Sequence, residues 1–277
     1  MGNPAFFLIG PPSRSASLLW RWLGAHRDVF MTARRELGFH AFKGMDLNTL
    51  AQMDPILGDV VTRSDEYSFA FQIGRSRLTG DASTINGLMP ELAATIAADV
   101  PQAKVVITLE PPILRAYMAY QFNRTRGIEK ARSFHEALSL EPARLRTNAS
   151  PFLQYTVGSR YRRLVEAYTA AFGRENVHIL IADTTYVPVG KALRDMCEFL
   201  GISPPPEGAV LGMEWQSQRL EDRFTRALAD WRIGGLRADF RTGVAKDVRW
   251  LEKHLALALT SWIPSEDNDP EADSADP

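Results

Sequence analysis

Short, largely apolar runs alternate along this chain with stretches in which apolar residues return every three or four positions. Residues 5–9, Ala5-Phe6-Phe7-Leu8-Ile9, form the first run. An uninterrupted apolar segment of that length, closed by turn residues, predicts a strand buried on both faces. The next residues, Gly10-Pro11-Pro12-Ser13-Arg14-Ser15-Ala16-Ser17, predict a turn-rich loop. Leu18, Leu19, Trp22 and Leu23 then mark one face of a helix, with Ser15 or Ser17 as its cap. The pattern recurs. Residues 104–109 predict a second buried strand, broken by Pro111-Pro112 and followed by a helix to about Arg126. A helix over 161–172 leads into a strand at 177–181, and a helix over 188–200 stops at Gly201. Residues 127–157 predict helical and loop insertions, 203–208 a proline-rich connector, and 244–259 a last helix. No internal repeat is present.

Buried strands alternating with helices predict an α/β fold: one domain, a parallel sheet flanked by helices, with ligands taken at the C-terminal ends of the strands. At 277 residues the chain is within reach of a single core. The expected domain spans 1–262, and 263–277 is expected to be an acidic, disordered tail. Residues 265–277 carry six acidic side chains and no Lys or Arg, so the rest carries +5, the difference between −1 and −6. A mildly cationic body suits a small anionic ligand, although that charge equally suits simple solubility. It does not suit a general nucleic-acid binder, which shows a larger basic excess. Cys197 is the only cysteine, which excludes an intramolecular disulfide and fits a reducing, cytoplasmic setting. Its spacing with Leu193, Met196 and Leu200 predicts a buried, inert thiol. The N-terminal segment has no basic region and too short an apolar run for a signal peptide, and no stretch predicts a transmembrane segment.

The first strand–loop–helix carries the most chemistry. A loop leaving a parallel strand and entering a helix aims backbone N–H groups and the helix dipole at one spot, which predicts an oxyanion there. The loop lacks the closing Gly-Lys-Ser/Thr of a Walker A motif and the spacing of a dinucleotide fingerprint. The serines have no nucleophile-elbow context. The five histidines and one cysteine show no metal-ligand spacing, so no metal is expected.

The stretch Phe6-Phe7-Leu8-Ile9-Gly10-Pro11-Pro12 through Trp20-Arg21-Trp22-Leu23, then His26, Asp28-Val29-Phe30-Met31, Arg35-Glu36 and Phe39, resembles the opening of bacterial sulfotransferases. Gly80-Asp81-Ala82-Ser83, Lys104 to Tyr120, Phe172 to Gly201 and Leu236 to Trp262 follow the family's later blocks in order. The resemblance implies a P-loop-like α/β fold. It also implies sulfuryl transfer from 3′-phosphoadenosine 5′-phosphosulfate (PAPS) to a hydroxyl or amine on a small-molecule or glycan acceptor. In that family a loop lysine neutralises charge as the sulfuryl group leaves. A carboxylate or histidine takes the acceptor proton, and a later arginine and serine hold the 3′-phosphate.

Carried over by position, Ser13 stands at the lysine, and Pro12, Arg14, Ser15, Ala16 and Ser17 form the rest of the donor loop. Glu110 replaces the arginine and Met118 the serine, while Glu36 keeps the base position. The expected catalytic residues are therefore Glu36, with Arg14 in place of the lysine and His40 sharing the base role. A carboxylate beside a 3′-phosphate repels it by about 4 kcal/mol at 4 Å and an effective dielectric near 20. Three readings remain open at this level: a sulfotransferase with a substituted loop, a non-catalytic binding protein on the same fold, and a transferase using another anionic donor.

Overall fold

The apolar run at 5–9 becomes the central strand of a parallel sheet. In the computed structural model, which describes residues 2–147, 149–183, 185–205 and 236–263, the strands are β1 (Phe6–Ile9), β2 (Val29–Met31), β3 (Leu78–Asp81), β4 (Lys104–Leu109) and β5 (Val177–Ile181). Their spatial order is β2-β3-β1-β4-β5, every pairing parallel. Phe6 pairs with Lys104 and Ile9 with Ile107, so β1 and β4 start together and β4 runs on past the end of β1 to Leu109.

Side chains on a strand alternate faces, and β1 feeds two separate cores in this way. Phe7 and Ile9 join Val105 and Ile107 on one side; Phe6 and Leu8 join Val106 and Leu180 on the other. Both faces are covered, which is why these strands read as continuous apolar runs. Burying each Phe or Leu contributes about 1.5–3 kcal/mol relative to leaving it in water.

The helices are α1 (Arg14–Ala25), α2 (Phe39–Phe42), α3 (Leu47–Met53), α4 (Ser64–Gln72), α5 (Ile85–Leu88), α6 (Leu92–Asp99), α7 (Pro112–Thr125), α8 (Phe134–Arg146), α9 (Tyr161–Phe172), α10 (Val189–Leu200) and α11 (Ala238–Leu255). Leu164, Val165 and Tyr168 of α9 and Val244, Val248 and Leu251 of α11 fill the first core. Leu19 and Leu23 of α1 and Leu193, Met196 and Leu200 of α10 fill the second. Cys197 lies inward on α10 as its spacing predicts, and burial pushes its thiol up to about 11. Gly201 ends α10 at φ 75°, a left-handed position that glycine adopts without strain.

Three boundaries differ from the sequence-based expectation. α1 begins at Arg14 because Ser13, not Ser15 or Ser17, is its cap. β2 is too short to stand out, and β3 is both short and polar; Asp81, which closes β3, is buried and satisfied by Tyr67 Oη and by Ser83 N and Oγ. The last helix runs six residues earlier at its start and ends at Leu255, because Ala256 takes a left-handed conformation. The expected acidic tail falls almost wholly outside the described residues, as do positions 206–208 of the expected connector. No described helix is long and apolar enough to cross a membrane.

Candidate functional site

Two cavities open at the C-terminal ends of the strands. The smaller, about 180 Å³, is lined by Pro12, Ser13, Arg14, Ser17, Arg35, Met118, Ala119 and Phe122. The larger, about 730 Å³, contains Glu36 and is bounded by Arg34, Asp54, Asp59, Arg126, Lys130 and Ser150 among others.

The loop after β1 wraps the smaller cavity. Ser13 has extended backbone, φ −152° and ψ 162°, and its Oγ accepts the N–H of Ala16 at 3.1 Å. This is an ordinary serine cap, which satisfies one of the helix's four orphan donors. Ser17 Oγ donates to the Ser13 carbonyl at 3.0 Å. The residues expected to form an open loop are thus the first turn of a helix.

Glu110 leaves the end of β4 and turns toward this same helix end. Its Oε2 accepts the Ser15 N–H at 3.2 Å. The residue is only 6% exposed, and Oε1 has no hydrogen-bond partner. Burial raises the carboxyl above the usual range, and the Ser15 hydrogen bonds and the Arg115 charge pull it only partly back. The Tyr161 hydroxyl donates to the Glu110 carbonyl at 2.8 Å and fixes the turn, and Pro112, which has no N–H to lose, starts α7. Arg115 is no counter-ion in contact: it is 1% exposed and spends its donors on Ser159 Oγ, at 2.9 and 3.1 Å, and on the Tyr155 carbonyl.

These contacts correct one sequence-based expectation. The strand–loop–helix pattern predicts that the backbone N–H groups at the start of α1 point at an oxyanion. Instead a side-chain hydroxyl takes the Ala16 amide and a carboxylate takes the Ser15 amide. Ser15 and Ala16 are buried and line neither cavity.

Arg35 and Glu36, on the segment after β2, are consecutive and line different cavities. Arg35 Nη1 donates to Ser17 Oγ at 2.6 Å, while Nε and Nη2 are buried without a hydrogen-bond partner. Burial lowers its pKa against the opposing pull of Glu36. Glu36 Oε2 accepts from Thr84 N at 2.9 Å and Thr84 Oγ1 at 2.6 Å, and Oε1 accepts from Ile85 N at 3.2 Å. Burial raises its pKa, partly offset by those hydrogen bonds and by Arg35. The carboxylate therefore caps α5, and α5 in turn touches the donor loop. A Cβ on Gly87 would fall 2.3 Å from the Gly10 carbonyl carbon, so only glycine permits that approach.

Of the residues expected at the site, Pro12, Ser13, Arg14, Ser17 and Met118 share the smaller cavity and Glu36 lines the larger. His40 reaches neither. Its ring sits among Phe7, Phe39 and Tyr67, burial lowers its pKa, and Nε2 lies 3.7 Å from Asp99 Oδ2. Its apolar neighbours on α2 carry it into the core, so the structure gives no geometry for a shared base role. Four arginines of the 124–163 stretch form ion pairs: Arg144 with Glu129, Arg160 with Asp247, Arg162 with Glu166 and Arg163 with Glu91. Arg126 reaches the larger cavity. Sequence reasoning passed over Arg35 as a charge partner for its neighbour. The signal was present in the basic pair before Glu36, but the side each residue faces is not written in their order. Among the described residues no cluster of His, Cys, Asp or Glu is arranged to hold a metal.

No family model matches the chain, and no curated protein matches it by sequence. Solved structures do. The crystal structure of a sulfotransferase from Alicyclobacillus acidocaldarius aligns with a TM-score of 0.71 at 26% identity, over 95% of this chain and 99% of that one. The sulfotransferase domain of the Synechococcus PCC 7002 olefin synthase aligns at 0.54 with 19% identity, over 93% and 96% of the two chains. The sulfotransferase domain from the curacin biosynthetic pathway aligns at 0.55 with 15% identity, over 91% and 99%.

Proposed function

Because the chain has the fold of bacterial sulfotransferases over nearly its whole length, we propose that it transfers a sulfuryl group from PAPS to a hydroxyl or amine acceptor. The donor's phosphosulfate end is assigned to the smaller cavity and the acceptor to the larger. The observation that carries this reading is the position of Arg35 and Glu36: adjacent residues, one in each cavity. A transferred group passing between the two must pass beside them. Glu36 takes the acceptor's proton as its oxygen or nitrogen attacks sulfur, and the bond from sulfur to the bridging oxygen of the donor breaks. Three donors hold Glu36 in one rotamer, and its raised pKa makes it a better base than an exposed carboxylate once ionised. The larger cavity is walled by Arg34, Arg126 and Lys130 on one count and Asp54 and Asp59 on the other, a polar surface suited to a polar small molecule or a glycan.

The fit to PAPS is uneven. Arg14, Arg35 and Ser17 suit a phosphosulfate oxyanion. Glu110 and Met118 supply no cation and no hydroxyl for a 3′-phosphate, and this favours a second reading, a donor that lacks that group. Calorimetry with 3′-phosphoadenosine 5′-phosphate (PAP) and adenosine 5′-phosphate, alongside a PAPS turnover assay with mixed polar acceptors, separates the readings. Tighter binding of PAP with turnover supports PAPS, and equal or tighter binding of the nucleotide without the 3′-phosphate supports the second. Binding of neither, without turnover, leaves a non-catalytic protein and overturns both.

A further inference from the structure

The smaller cavity holds an unexplained cation. In sulfotransferases the resemblance places a lysine on the loop, and here Ser13 stands there, its hydroxyl committed to capping α1. The next helical amide belongs to Glu110. An oxyanion entering the cavity therefore meets neither a loop lysine nor those two amides. Arg35 meets it, with Arg14 also on the cavity wall. It reaches in from the segment after β2, is tethered by one nitrogen to Ser17 Oγ, and keeps Nε and Nη2 buried and unpaired. Unpaired buried donors are costly, more so on a charged group, and native structures seldom keep them without a use. A guanidinium presents its donors as a planar fork that matches two oxygens of a sulfate or phosphate. Glu36 is adjacent in sequence but gives its oxygens to α5, so it does not occupy that fork.

We propose that Arg35 is the residue that anchors the oxyanion in this chain, gripping it in the cavity between the loop at residues 12–17 and α7, in place of the loop lysine and of the α1 amides taken by Ser13 and Glu110. The site takes a tetrahedral oxyanion or a phosphosulfate-like anhydride. Ser17 orients the guanidinium through Nη1, and Nε and Nη2 turn to the ligand with a small rotation about the Ser17 tether. The inference rests on the donor-cavity assignment above, but it makes a claim about one side chain that can fail by itself.

The test uses the full chain with inorganic pyrophosphate as probe, by calorimetry at low ionic strength, and compares wild type with Arg35→Gln, Arg35→Lys and Arg194→Gln. Arg194 lies exposed on α10 and lines neither cavity, so it reports the general effect of losing one charge. Arg35→Gln is expected to weaken pyrophosphate at least about tenfold, roughly 1.4 kcal/mol. Arg35→Lys should recover part of that loss and Arg194→Gln should stay within about twofold. Circular dichroism and melting temperature establish that each variant is folded; if the glutamine variant is not, Arg35→Lys alone must still lose affinity through the missing fork. Wild-type-like affinity in the folded Arg35 variants overturns the proposal, as does an equal loss in Arg194→Gln or no pyrophosphate binding by wild type. Arg35-dependent pyrophosphate binding without PAPS turnover leaves Arg35 as the anchor and removes the sulfuryl-transfer reading. PAPS turnover unchanged in Arg35→Gln does the reverse.

Discussion

Glu36 and Glu110 are the same residue type, one half-buried and one buried, both raised in pKa by burial, and both bonded to backbone N–H groups at the start of a helix. Their consequences are opposite. Glu36 accepts from three donors and lines a cavity of about 730 Å³, so its charge is held in place and within reach of whatever enters that cavity. Glu110 accepts from one amide, leaves Oε1 without a partner, and lines neither cavity. It fills with an internal carboxylate the helix end that a phosphate would use. The contrast teaches that a buried acid with a shifted pKa is not by itself a catalytic group; access and a full set of hydrogen bonds separate the two.

The largest expected effect is on Glu36. Glu36→Gln keeps the shape and an acceptor for Thr84 but removes the proposed base, and should lower sulfuryl turnover by about two to four decades. PAP affinity should move by less than about threefold, since Glu36 lies outside the smaller cavity. Turnover equal to wild type would erase the functional difference between the two glutamates.

Glu110→Gln tests the other side. It removes a charge beside the donor cavity while keeping an oxygen for the Ser15 N–H. Pyrophosphate affinity should rise about tenfold by calorimetry, a part of the roughly 4 kcal/mol that two like charges exert at 4 Å and an effective dielectric near 20.

The pH dependence sharpens the comparison. A carboxyl whose pKa is raised by folding contributes stability below its unfolded value, about 4.3, and that contribution is lost as pH rises through the higher folded value. Glu110→Gln should therefore gain melting temperature relative to wild type as pH rises across that window, and the gain should shrink below about pH 4. A constant difference between the two at every pH would mean that the Glu110 carboxyl titrates normally.

The smallest effect belongs to Met118→Ser. Met118 lines the smaller cavity on α7, and a hydroxyl there adds one neutral hydrogen bond of about 0.5–1.5 kcal/mol. PAP affinity should rise about two- to tenfold, with no change for adenosine 5′-phosphate. Equal gains for both nucleotides would show that this face of α7 does not meet the 3′-phosphate.

Where the chain buries a strand on both faces, the sequence was easy to read. β1 carries an uninterrupted apolar run, and β4 and β5 are apolar but for Lys104, Thr108 and His178, because helices cover the sheet on each side. β2 and β3 escaped notice because they are three and four residues long and because Asp81 is paid in hydrogen bonds from Tyr67 and Ser83 rather than by apolar contact. The site was legible as a set of positions: Ser13, Arg14, Ser17 and Met118 do share a cavity, and Glu36 does face a neighbouring one. It was not legible as contacts. His40 looked like a second base by its distance from Glu36 along the chain, yet the aromatic residues around it draw it into the core.

Local pattern alone determined the α/β class, the buried strands, the helix stop at Gly201 and the inert Cys197, since period, turn chemistry and burial leave their mark on neighbouring residues. The tertiary structure decided which groups would meet. Residues 15 and 110 are 95 positions apart, and only the parallel alignment of β1 with β4 brings the Glu110 carboxylate to the Ser15 amide. The same holds for Glu36 with Thr84, and for Arg35 with Ser17. A side chain's type sets what it can bond; the register of distant strands sets what it does bond, and that register is a property of the packed sheet rather than of any short stretch of sequence.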